Sequence, residues 1–131
     1  VSACAATPCQ VAAIEALEGP QDHLKYMVEQ YRLRRDYVMR RISEIPGLSC
    51  HAPAGTFYAF IDISQLGMPC EEFAMKLLEE RQVVVVPGTA FGEFGEGYIR
   101  LSYATSMQCL EQGLHELEEF VRSHETEGDP A

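Results

Sequence analysis

Two lysines, Lys25 and Lys76, are all that this chain of 131 residues contains, and its longest aliphatic run is Val83–Val86. A run that short excludes a membrane-spanning helix. Basic charge is scarce as well. Ten lysines and arginines face twenty acidic residues, and a net charge of −10 disfavours nucleic acid and anionic membranes as partners. The five cysteines (Cys4, Cys9, Cys50, Cys70, Cys109) are odd in number and form no C-x-x-C. That excludes a disulfide framework or zinc ribbon and points to reduced thiols in an intracellular protein. His23, His51, His115 and His124 have no metal spacing, and His115-Glu116 does not continue into H-E-x-x-H. No metal is therefore expected. The chain opens on Val1 without a basic segment and apolar stretch behind it, so the expectation is a fragment or processed piece, not a secretion precursor.

What is present fits one soluble globular domain. Apolar residues make up 47% of the chain and the mean hydropathy is −0.11, which allows a real core at this length. Thr7-Pro8 has the form of a helix cap followed by proline in the first turn, and alanine-rich residues continue to Leu17 before Gly19-Pro20. From Asp22, the spacing of Leu24, Met27, Val28, Tyr31, Val38, Ile42 and Ile45 predicts an amphipathic helix of about six turns, ending at Pro46-Gly47. A strut along or between domains has that length. Short strands are predicted at Leu48–Ala52 and, more strongly, Phe57–Ile63. A helix opens at Cys70 with Phe73, Leu77 and Leu78 inward, the Val83–Val86 strand follows, and a last helix runs from Met107 to Arg122. Leu110, Leu114, Leu117 and Val121 share one face of it. This order predicts an α+β fold: a small, mostly antiparallel sheet with helices on one face, preceded by a long helix.

Several motifs carry little chemistry. Pro87-Gly88-x-x-x-Gly92-x-x-Gly95-x-Gly97 lacks the G-K-[ST] ending of a phosphate loop and leads into a strand, so it reads as a turn needing positive backbone angles. No G-x-S-x-G elbow accompanies the serines. Glu71-Glu72 and Glu79-Glu80 fall on helix surfaces, where solvation or dipole matching is their role. Arg32, Arg34, Arg35, Arg40 and Arg41 cluster within ten residues. They read as a solvated helix face, or alternatively as a surface that meets acidic groups outside this chain.

One strand stands out. In Gly97-Tyr98-Ile99-Arg100-Leu101-Ser102-Tyr103, alternation places Ile99, Leu101 and Tyr103 on one face and Tyr98, Arg100 and Ser102 on the other. An arginine on rigid backbone, pointing away from the core, suits two-point capture of a carboxylate, although a plain surface charge has the same pattern.

The ordered series of motifs decides between these. Gln10 in an alanine-rich helix, Tyr31-x-x-Arg34-Arg35-Asp36, Pro46-Gly47, Pro53-x-Gly55-x-Phe57-Tyr58, the valine run, Pro87-Gly88-x-x-Phe91-Gly92 and Gly97–Ser102 together cover nearly the whole chain. In this order they resemble the C-terminal small domain of class I, fold-type I pyridoxal-phosphate aminotransferases, nearest the aspartate and prephenate branch. The resemblance implies that Arg100 binds the substrate α-carboxylate, with pyridoxal 5'-phosphate as cofactor and an amino acid and a 2-oxo acid as substrates. Aspartate is the favoured amino acid; an alanine, aromatic or other amino-acid aminotransferase is the nearest alternative. It also implies a homodimeric, cytoplasmic parent, with an organelle possible. Residues 1–21 would belong to or contact a missing large domain, 22–123 would be the small domain and 124–131 a flexible tail. The Schiff-base lysine motif of such enzymes is absent here. No catalytic, cofactor-binding or metal-binding residue is assigned within the chain, and activity of this piece alone is not expected. A non-enzymatic interaction module on the same scaffold is the reading of a different class.

Overall fold

The computed structural model of the chain describes residues 4–125. The expected tail lies outside the described residues from position 126 onward, as do residues 1–3 of the first expected segment. The described residues divide into two compact units that meet between Gln30 and Tyr31, and the division falls inside the long helix.

In the first unit, α1 runs Thr7–Glu18 with Pro8 in its first turn, and none of its residues is buried. Thr7 does not cap it, contrary to expectation. Ala6 holds the cap position without a side-chain bond, and the Gln10 amide instead donates to the Ala5 carbonyl at 2.7 Å. Gly19 ends the helix by donating its N–H to the Glu15 carbonyl. The long helix α2, Asp22–Glu44, begins in this unit, where Leu24, Met27 and Val28 are exposed.

The second unit holds the sheet and the core. Strands β1 (Ser49–Cys50), β2 (Tyr58–Asp62), β3 (Val86–Pro87) and β4 (Tyr98–Ser102) form one sheet in the order β1-β2-β4-β3, with every neighbouring pair antiparallel. The end of α2, helix α3 (Cys70–Arg81) and helix α4 (Met107–Glu125) supply the apolar residues that cover one sheet face. Val38 and Ile42 of α2, Phe73 and Leu77 of α3, and Leu114, Leu117 and Phe120 of α4 are at most 1% exposed. They join Ala59, Ile61, Ile99 and Leu101 from the inner strands in one cluster. This is the α+β layer that the pattern of elements predicts. No described helix is long and apolar enough to cross a membrane.

Three local expectations are corrected. The valine run, expected as a strand over Val83–Val86, is not one: only Val86 enters a ladder, Val85 is buried, and Val84 is 73% exposed. Leu78, expected inward, is exposed, because α3 presents only Cys70, Phe73, Ala74 and Leu77 to the core. The arginine cluster is more than a solvated face. Arg41 donates to Glu118 of α4 at 2.6 Å and to Glu44 at 3.1 Å, while Arg34 and Arg40 lie against the rings of Tyr31 and Tyr37.

Candidate functional site

Strand β4 is one of the two inner strands, so its backbone is held from both sides. Arg100 pairs with Phe60 of β2 and with Val86 of β3. Alternation then separates the side chains as expected: Ile99, Leu101 and Tyr103 are buried, while Tyr98 and Arg100 are half-buried and Ser102 is exposed. Arg100 therefore stands on the sheet face opposite the one packed by the end of α2, α3 and α4. Its guanidinium carbon lies 4.2 Å from the centre of the Tyr58 ring and 4.6 Å from that of Phe91. Among the described residues it makes no hydrogen bond and no ion pair. Most other cations here are engaged, including Lys25 with Asp22, Lys76 with Glu72, Arg35 with Asp36 and Arg81 with Glu116. A half-buried guanidinium with all its N–H donors unspent is a ready receptor for a planar anion such as a carboxylate.

The aromatic surround went unrecognised in the sequence, although a signal was available. Tyr58 and Phe60 alternate on β2, so both must face the same way as Arg100 once β2 pairs with β4. Phe60 stacks on Tyr98 with ring centres 5.1 Å apart and meets Phe91 edge-on at 6.1 Å. Phe57 supports Tyr58 at 4.4 Å.

Phe91 reaches the site through the glycine-rich turn, which is two consecutive 3-10 turns, Gly88–Phe91 and Glu93–Gly95. Positive backbone angles occur at Gly92 (φ 125°) and Gly97 (φ 81°). Gly88 and Gly95 are glycine for another reason. Their backbones touch, and a Cβ on either would collide with the carbonyl group of the other. The turn is also tied to α3. Glu96 accepts the Cys70 backbone N–H at 2.9 Å and the Gly97 N–H at 3.1 Å, and Thr89 donates to Glu71 at 3.0 Å. The Cys70 N–H bond is the main cause that holds the Glu96 carboxyl below its ordinary range, against a partial loss of hydration. On the covered side, the Tyr103 hydroxyl donates to the Thr56 carbonyl at 3.0 Å, and burial pushes its pKa up.

Other candidate groups sit apart. Lys25 and Lys76 are on helix surfaces in ion pairs of 3.0 and 2.7 Å with Asp22 and Glu72. Glu71, Glu72 and Glu80 are engaged with Thr89, Lys76 and His124. Among the described residues, no group of three or more His, Cys, Asp or Glu could hold a metal ion. Cys9, Cys50, Cys70 and Cys109 carry free thiols. Burial raises the pKa of Cys50, and hydrogen bonds from Ser106 and then Thr105 lower that of the exposed Cys109.

The family of class I and II aminotransferases matches residues 2–117. An aspartate aminotransferase of Pyrococcus horikoshii is 44% identical over 114 residues, which cover 86% of this chain and 29% of that protein. The solved structure of an alanine aminotransferase from Pyrococcus furiosus superimposes with a TM-score of 0.87 at 38% identity, covering 92% of this chain and 31% of that one. A PLP-bound structure from Clostridium difficile matches 79% of this chain with a TM-score of 0.75 at 28% identity. The chain thus spans about 30% of the length of the proteins it matches.

Proposed function

The chain belongs to the class I and II aminotransferases, and from that premise we propose that it is the carboxylate-binding portion of an amino-acid aminotransferase. In this reading residues 22–123 act as the small C-terminal domain, and residues 1–21 belong to or contact the large domain. Arg100 holds the α-carboxylate of the amino acid and of the 2-oxo acid through two parallel N–H bonds. One observation carries the reading: Arg100 stands half-buried on the face of an inner strand that points away from the core, near two rings, with no anion of its own among the described residues. A fixed guanidinium orients the substrate, which lowers the entropic barrier to the chemical step.

Pyridoxal 5'-phosphate supplies the electron sink in an enzyme of this kind. Neither Lys25 nor Lys76 stands in the Schiff-base motif of such enzymes, so in this reading the cofactor site lies outside this chain and the chain alone is not expected to be active. Aspartate with a 2-oxo acid is the favoured substrate pair, supported by the Gly97–Ser102 motif and by the similarity to an aspartate aminotransferase. The similarity to an alanine aminotransferase keeps that substrate as the alternative. A homodimer in the cytoplasm is the assembly and location that the family resemblance supports.

The test uses the full-length enzyme. Arg100→Lys keeps the charge but loses the planar fork, and Arg100→Leu loses both. Both should lower kcat/KM for the amino acid, the leucine variant more. Losing a charged partner in a dry site costs ~2–5 kcal/mol, a fall of at least about tenfold. Cofactor absorbance should not change. A value for Arg100→Leu within about twofold of wild type would return Arg100 to the status of a surface charge.

A further inference from the structure

An arginine that must present its donor edge to a substrate faces a conflict. A long side chain has many rotamers, and immobilising it is costly, yet the usual partner that would hold it, a carboxylate, would occupy the same N–H donors that the substrate needs. The surroundings of Arg100 resolve this conflict with ring faces. Tyr58 sits two positions along β2 from Phe60, the cross-strand partner of Arg100, so the two side chains are diagonal neighbours on one sheet face. The Tyr58 ring centre is 4.2 Å from the guanidinium carbon, closer than any other ring. A π-face attracts the cation without consuming a single N–H. The phenol hydroxyl of Tyr58 makes no hydrogen bond among the described residues, so the ring itself is the contacting element.

We propose that Tyr58 is a positioning residue for Arg100, its ring face fixing the guanidinium so that the donor edge is free and correctly aimed, with Phe91 as the second support. The inference rests on the carboxylate-binding role of Arg100 proposed above. It extends that role to residues that need not touch substrate at all. The site's quality then depends on β2 and on the glycine turn as much as on β4.

The experiment is kinetic, on the full-length holoenzyme, with L-aspartate or L-alanine, whichever the wild type turns over faster, as amino donor. Tyr58→Leu should lower kcat/KM about three- to thirtyfold, the range expected for a cation–π contact that is partly desolvated. Tyr58→Phe retains the ring face and should stay within about twofold of wild type. In the Arg100→Leu background, Tyr58→Leu should cause no further loss, because the residue acts only through the arginine. Should Tyr58→Leu fail to fold, Phe91→Leu carries the same expectation from the other ring. If Tyr58→Phe is as impaired as Tyr58→Leu, the hydroxyl is the working group and the positioning role is wrong. Additive losses in the double variant overturn it as well. If Arg100→Leu alone is unimpaired, the carboxylate role has failed. If Arg100→Leu is impaired and Tyr58→Leu is not, only the positioning role has failed.

Discussion

Glu96 shows how a single side chain couples the glycine turn to the helix layer. Its carboxylate accepts the first N–H of α3, from Cys70, and the N–H of Gly97, which immediately precedes β4. A negative charge there also faces the positive end of the helix dipole. The Cys70 bond, aided by Gly97 and by the Cys70 thiol, lowers the carboxyl's pKa from its ordinary 4.5. A group with a depressed folded-state pKa contributes stability above its unfolded pKa and loses it as pH falls through the folded value. Glu96→Gln, which keeps the shape but not the charge, should therefore melt below wild type at about pH 7, and the gap should close towards about pH 3. Thermal melts of both proteins across that range provide the measurement. A gap that is constant with pH would mean that the carboxylate does not cap α3. None of this is legible in the sequence, where Glu96 is one acid among many. The cap joins positions 26 apart, and no local pattern announces such a pair.

At the scale of elements, the helices were legible and the strands only roughly so. Apolar spacing in α4 marks Leu110, Leu114, Leu117 and Val121 as its core face, and all four are buried. A helix satisfies its own backbone, so its sequence reports most of what forms it. A strand needs a partner that the sequence does not name. The valine run has every local preference for a strand, yet it lies at the sheet edge, where only Val86 and Pro87 meet β4. The link between α2 and α4 was likewise out of reach, since Arg41 and Glu118 lie 77 positions apart. Glu118 is only 12% exposed and serves both Arg41 and Arg122. The Nε of Arg41 is already buried without a partner. Glu118→Gln should thus destabilise the chain by about 1–3 kcal/mol. Urea unfolding checks the value, and a loss below about 0.5 kcal/mol would place the contact with ordinary surface pairs.

For the whole molecule, the family and the fold layer were legible because an ordered series of motifs spans nearly the entire chain, and the match over residues 2–117 agrees. In the first unit Val11, Ile14 and Leu17 of α1 and Leu24, Met27 and Val28 of α2 are all more than 40% exposed. Apolar surface on that scale is a liability for a free chain. The chain on its own should therefore self-associate or unfold with low stability. Sedimentation velocity over a concentration series, with a thermal melt at each step, measures this. A sharply melting monomer at the highest concentration would show that these residues need no cover.

The antiparallel register of β2 and β4 has a further consequence. Arg100 lies between Ile99 and Leu101, both of which point into the core. If β4 paired one residue out of step, Arg100 would be driven into the core, and the two aliphatic residues would be turned outward. Burying an unpaired guanidinium is far more costly than exposing an isoleucine. An arginine at this position thus also disfavours the misaligned sheet, and replacing it with leucine would remove that part of the penalty.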